Sequence, residues 1–226
     1  MNALQNIQSS KQIAKIDSHQ HFWSLARGDY HWLTAELTEL YQDFLPEQLM
    51  PYMQQANVQA TVLVQAAETT AETDYMLALA AEHSFIRGVV GWVNLAADQV
   101  LAQLQDFASN PIFKGIRPML QDIDDDKWIL QPQFTAIFDY LIAENLTFDA
   151  LVLPKHLPHI YQLASQYPQL KIVIDHAAKE YPSESCGLIV NNEYIPCKNI
   201  AEDPTKYFSI CPIDLVRASS KGSIDA

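Results

Sequence analysis

Ala60-Thr61-Val62-Leu63-Val64-Gln65-Ala66 is a short, largely apolar run with β-branched residues at its centre. Its apolar core does not alternate with polar positions, so it reads as a strand covered on both faces, as in a parallel sheet layered with helices. Working outward, the same pattern recurs at 86–95 (IRGVVGWVNL), 113–120 (FKGIRPML), 146–153 (LTFDALVL) and 171–177 (KIVIDHA). Helical periodicity fills the intervals 46–57, 70–83, 97–109, 131–145 and 155–167. Pro46 and Pro154 stand where helices begin, as their fixed φ permits. Glu72 and Asp98 supply negative charge to first turns. Strands separated by single helices pair in parallel through right-handed crossovers. The expected fold is α/β, with about six strands once the stretch Ala14-Lys15-Ile16 is included.

That first strand leads into Ile16-Asp17-Ser18-His19-Gln20-His21-Phe22. Side chains two apart on an extended backbone share a face, so His19 and His21 can converge on one ligand. Imidazole is a common ligand for zinc and similar ions. The competing reading is a pair of surface histidines near the N-terminus. Sites in parallel α/β folds lie beyond the carboxyl ends of the strands, and polar residues gather there. His19 and His21 end the first strand, Arg117 the fourth and Asp175-His176 the sixth, while Asp149 falls within the fifth. Residues 24–45 form a long first loop carrying Tyr30, Trp32, Tyr41 and Phe44. Such a loop either lines the site or is a plain surface excursion.

Bulk composition narrows the function classes. The chain has 226 residues, 49% of them hydrophobic and 18% charged, enough apolar content for a packed core. A net charge of −13 argues against nucleic acid or an anionic membrane as partner, because an acidic surface repels phosphates. Neither a signal-peptide core nor a span of about 20 apolar residues is evident, so a cytoplasmic location is expected. The expected partner is a small-molecule substrate, with oligomeric state left open. Cys186, Cys197 and Cys211 all lie in the last fifth of the chain, whereas Trp23, Trp32, Trp92 and Trp128 all precede it. Their spacings do not match a zinc knuckle, and plain thiols are expected. The shift in composition suggests two segments of different origin.

The stretches IDSHQHFW (16–23), DFLPEQLMPYMQQANVQATVLVQA (43–66), FIRGVVGWVNL (85–95), FKGIRPMLQD (113–122), FDALVLPKHLP (148–158) and IVIDHAAK (172–179) resemble the amidohydrolase superfamily, specifically its lactonase branch. That resemblance implies a (β/α)8 barrel and hydrolysis of a small lactone or related cyclic ester. It implies a catalytic and metal-ligating role for His19, His21 and His176, and a substrate-binding role for Arg117, whose guanidinium suits a carboxylate or carbonyl oxygen. Gln65 and Asp149 are assigned no role. The cofactor implied is a divalent metal, zinc, which would polarise the carbonyl and acidify a water. Metal-independent action, with the histidines and arginine holding the substrate directly, is the other mode within the branch. Both modes call for an aspartate on an eighth strand as general base.

A complete barrel of this kind takes about 250 residues, and the likeness ends near residue 178. The reading is therefore an incomplete (β/α)8 barrel over 1–178, followed by an irregular tail over 179–226. HAAKEYPSESCGLIV (176–190) and YIPCKNIAEDPTKYF (194–208) resemble the N-terminal part of the JAB/MPN metalloprotease domain of phage tail-assembly proteins. Glu184 would match the catalytic glutamate of that family. Its zinc-binding histidines are expected downstream of residue 226, which argues against protease activity. The tail is expected to carry strands at 185–190 and 193–196. A fusion of two truncated genes is the expectation for the junction at 176–179. A non-catalytic fragment or binding module is the alternative to a lactonase-like hydrolase.

Overall fold

The computed structural model describes residues 15–175, together with the backbone of the strands Cys186–Val190, Glu193–Cys197 and Ile224–Asp225. Six strands form one sheet: β1 (Ile16–Gln20), β2 (Ala60–Val64), β3 (Ile86–Gly91), β4 (Phe113–Ile116), β5 (Thr147–Leu151) and β6 (Lys171–Asp175). Their order is β1-β2-β3-β4-β5-β6, and every neighbouring pair is parallel. The crossovers carry α1 (Pro46–Ala56), α2 (Thr70–Glu82), α3 (Val100–Ala108), α4 (Thr135–Ala143) and α5 (Leu157–Gln166).

Local chemistry explains the boundaries. Pro46 opens α1, and Asn57 closes it in the left-handed region at φ 55°. Thr69 caps α2, its side-chain oxygen accepting the Glu72 backbone N–H at 3.1 Å. Asn145, at φ 58°, performs the turn from α4 into β5. The helices and strands are otherwise shorter than the patterns suggest. Asp98 precedes α3, which starts at Val100, so its charge lies outside the first turn it was expected to serve. A short 3-10 turn at Pro132–Phe134, preceded by another at Trp128–Leu130, occupies what reads as the start of α4, where Pro132 and a tight bend replace the first α-turn. The first strand begins at Ile16 and carries His19 within it, two residues later than the pattern at 14–16 suggests.

Strands that follow one another in sheet order through right-handed crossovers place every helix on the same face. Such a sheet closes its other face only by curling. A flat sheet would hold β1 and β6 about 24 Å apart, five spacings of about 4.8 Å. Instead, His19 Nδ1 on β1 lies 3.5 Å from Asp175 Oδ1 on β6. The sheet is thus a curled half-barrel, an incomplete TIM-type barrel.

The outer side of the sheet is apolar. Leu104 of α3, Phe138 and Leu141 of α4 and Leu163 of α5 pack with Ile116, Phe148 and Phe134 in one buried cluster. Each such side chain contributes about 1.5–3 kcal/mol by leaving water. Several buried polar groups sit instead at or near the strand ends: Gln65, Arg117, Asp149 and Asp175. Strands β7 (Cys186–Val190) and β8 (Glu193–Cys197) pair antiparallel and, with β9 (Ile224–Asp225), form a separate three-stranded sheet. The two strands expected in the tail are therefore present, and they pair with each other.

Candidate active site

The pairing of β1 with β2 slips between Asp17 and Gln20, where three steps along β1 match two along β2. A bulge of this kind bends the strand and re-aims its side chains. His19 and His21 flank Gln20, His19 within that slip and His21 just beyond it. Their Nε2 atoms stand 3.1 Å apart, with the rings edge-to-face at 84° and centroids 4.8 Å apart.

The outer nitrogens set the tautomers. His21 Nδ1 is 2.8 Å from the Val64 carbonyl, which can only accept, so Nδ1 carries the hydrogen and Nε2 of the neutral ring offers a lone pair. His19 Nδ1 faces the Asp175 carboxylate, which favours the same tautomer. The two Nε2 atoms thus face each other within hydrogen-bond distance, and with both hydrogens on Nδ1 they would present two lone pairs to one divalent cation. Zinc–imidazole bonds of about 2.0–2.1 Å, at angles between a right angle and the tetrahedral value, hold two nitrogens about 2.8–3.4 Å apart. The observed separation falls inside that interval. Histidine ligands backed by a carbonyl or a carboxylate are also the usual outer arrangement at metal sites. Two imidazoles do not make a full ligand set, and among the described residues no group of three histidine, cysteine or acidic side chains could hold an ion. His176, the third ligand the sequence suggests, lies outside the described residues, as does Glu184.

Arg117 follows β4 directly. Its backbone N–H donates to the Gly91 carbonyl at 2.8 Å, continuing the β3–β4 ladder. It is only 3% exposed. The guanidinium donates through Nη2 to the Gln65 carbonyl and approaches Asp175 Oδ2 through Nη1 at 3.6 Å. Gln65 Nε2 returns a hydrogen bond to the Arg117 carbonyl at 2.7 Å. This reciprocal pair ties the exit of β2 to that of β4, and the ion pair carries the tie on to β6. The guanidinium is thus held from two sides, by the Gln65 carbonyl and by Asp175. Among the described residues its Nε has no hydrogen-bond partner. Burial lowers the Arg117 pKa from its usual value, opposed by the charges of Asp175 and Asp149.

Two carboxylates escaped the sequence reading as functional groups. Asp149 is the third residue of β5, in register with Val173 two positions before Asp175. Burial, and then the charge of Asp175, push its pKa up to about 6. An aspartate inside a strand that is otherwise apolar and covered is the signal that could have found it, because such a group is seldom buried without a task.

Glu72 reads as a first-turn charge, yet it is fully buried. Its Oε1 accepts the Ala66 N–H at 2.9 Å and its Oε2 the Tyr30 hydroxyl at 2.8 Å. Burial raises its pKa. Arg27 lies 3.5 Å from it and 2.5 Å from Asp29, with its guanidinium 4.5 Å from the centre of the Tyr75 ring. The long first loop is therefore fastened to the exit of β2. It is closed at its far end by the paired backbone bonds between Trp23 and Phe44, 3.0 and 2.9 Å.

A curled, sequentially ordered parallel sheet with a converging histidine pair at the end of its first strand is an incomplete TIM-type barrel with polar groups gathered at its strand ends. The sequence model of the amidohydrolase family matches residues 16–186, and the chain belongs to that family. It is 47% identical over 165 residues to an L-fucono-1,5-lactonase of Burkholderia ambifaria, covering 73% of this chain and 57% of that protein. The chain thus spans under three fifths of the length of this relative. An amidohydrolase from Burkholderia multivorans, solved with bound zinc, superposes with a TM-score of 0.68 at 33% identity, covering 75% of this chain and 59% of that one. A partial, weak likeness joins the chain to the tail tip assembly protein K of Escherichia phage N15, 36% identical over 58 residues, 24% of each protein.

Proposed function

We propose that the chain is a hydrolase of a small lactone or related cyclic ester, acting at the C-terminal ends of β1 to β6. The observation that carries this reading is the 3.1 Å convergence of His19 and His21 Nε2. The relative of highest identity given above is an L-fucono-1,5-lactonase, which supports the substrate class. In the reaction water adds to the ester carbonyl carbon, the ring C–O bond breaks, and the ring oxygen takes up a proton to leave a hydroxy acid.

His19 and His21, completed by His176, are the residues proposed to hold a divalent ion. The superposed amidohydrolase contains zinc, which supports that choice. Such an ion supplies Lewis acidity and lowers the pKa of water. The chain's own groups do the remaining work. Val64 and Asp175 orient the imidazoles, and Arg117 holds Asp175 and the β2 exit, its Nε being the donor proposed for a substrate oxygen. Asp149, with a pKa near 6, can hold or release a proton close to neutral pH. If the reaction proceeds without metal, the same imidazole pair binds the carbonyl region directly.

We further infer that residues 1–178 are the hydrolase unit and 179–226 a segment of separate origin. Among the described residues no helix is long and apolar enough to cross a membrane, and the proposed site of action is cytoplasmic. The test is turnover of a panel of sugar lactones, followed by acid release, with and without added zinc. Turnover by the purified chain that His19→Ala abolishes supports the reading. A folded chain that hydrolyses none of them sinks it in favour of a binding module.

A further inference from the structure

Trp32 is 39% exposed, whereas Trp23 beside it is 8% exposed. Exposed side chains on loops ordinarily keep their rotamer freedom, because holding one still loses entropy. Trp32 is nevertheless held. Its Nε1–H donates to the Ala66 carbonyl at 2.7 Å, and its ring stands edge-on to Trp23 at 84°, centroids 5.5 Å apart. Two residues before it, Tyr30 is anchored on buried Glu72, which also holds the Ala66 N–H. The loop's buried ionic fastening therefore ends in an indole that is held by its Nε1–H and by Trp23 yet stays 39% exposed.

Its position relates it to the histidines. Val64, whose carbonyl orients His21, lies two residues before Ala66, whose carbonyl holds Trp32. Carbonyls two apart on extended chain point the same way and stand about 7 Å apart. The indole and the His21 imidazole are thus held by carbonyls two residues apart on the chain leaving β2. The face of an indole carries the negative side of its quadrupole and attracts the weakly positive C–H groups of a saturated ring. With a net charge of −13 on the chain, a neutral ring approaches more readily than an anion.

We propose that Trp32 is a specificity-determining residue: the platform on which the substrate ring stacks, selecting a neutral saturated ring over an open chain bearing the same hydroxyls. The inference rests on the lactone-hydrolase reading, but binding tests it without catalysis. The probes are a 1,5-anhydrohexitol, a pyranose ring with no ester to cleave, and the corresponding open-chain hexitol, titrated into the full chain while tryptophan fluorescence is followed. The ring is expected to give a saturable change and the hexitol none. Trp32→Ala is expected to weaken ring binding about tenfold, the loss of one stacked contact, and Trp32→Phe by about threefold or less. Cooperative unfolding of both variants shows that they are folded. Wild type that does not prefer the ring, or a folded Trp32→Ala that binds it unchanged, overturns the proposal. Lactone turnover is measured in parallel. Turnover with a KM unaffected by Trp32→Ala overturns the platform and leaves the hydrolase standing. Trp32-dependent ring binding without turnover of any lactone supports the platform and overturns the hydrolase alone.

Discussion

Asp149 makes the sharpest statement at the scale of single residues. Its pKa stands near 6 in the fold against 3.8 for the free group, chiefly through burial. The fold therefore favours the protonated acid, so this contribution to stability is complete below about pH 4 and is lost as pH rises through about 6. Two units correspond to about 3 kcal/mol at most. Asp149→Asn, which keeps the neutral shape, is expected to match wild type near pH 4 and to exceed it by about 1–3 kcal/mol near pH 8, as read by urea denaturation. A difference that does not vary with pH would refute the assignment. Asp175 acts through His19, so Asp175→Asn is expected to weaken zinc binding about 10–100-fold in calorimetric titration, with His19 itself still present. The histidine pair was legible in the sequence because a spacing of two on a strand is local geometry. The partners of Arg117 and Glu72 were not, because each lies on an element remote in sequence.

Among the elements, β4 and β5 approach unusually closely at Gly115. A Cβ there would collide with the Thr147 side-chain oxygen and backbone. Gly115→Ala is expected to cost about 3 kcal/mol or more, or to prevent folding, which a shift in the thermal midpoint measures. The first loop is the second case. Glu72→Gln keeps an acceptor for the Ala66 N–H but removes the charge facing Arg27. It is expected to leave global stability within about 2 kcal/mol while exposing residues 24–45 to limited proteolysis. Equal cleavage of the two proteins would show that the loop is fastened elsewhere. The strand and helix order was readable from periodicity and from prolines at helix starts. Boundaries were less so. The bulge in β1 and the 3-10 turns before α4 arise from packing that periodicity does not encode.

At the scale of the whole molecule, curling is what makes a site from six strand ends. The five α-helices of the described residues and all four tryptophans lie at or before residue 175. If the half-barrel is one cooperative unit, unfolding followed by tryptophan fluorescence and by far-UV circular dichroism is expected to coincide. Separate transitions would show that β1–β3 and β4–β6 melt independently. The sequence alone determined the class of fold, the parallel sense of the sheet and the end at which polar residues collect. Those properties follow from alternation, apolar run length and turn residues, all of which act within a few positions of one another. Only the tertiary structure decided that β1 meets β6, that Arg117 is buried between Gln65 and Asp175, and that Glu72 and Trp32 serve the rim. Those contacts depend on twist and register accumulated over several strands, which no short stretch of sequence carries.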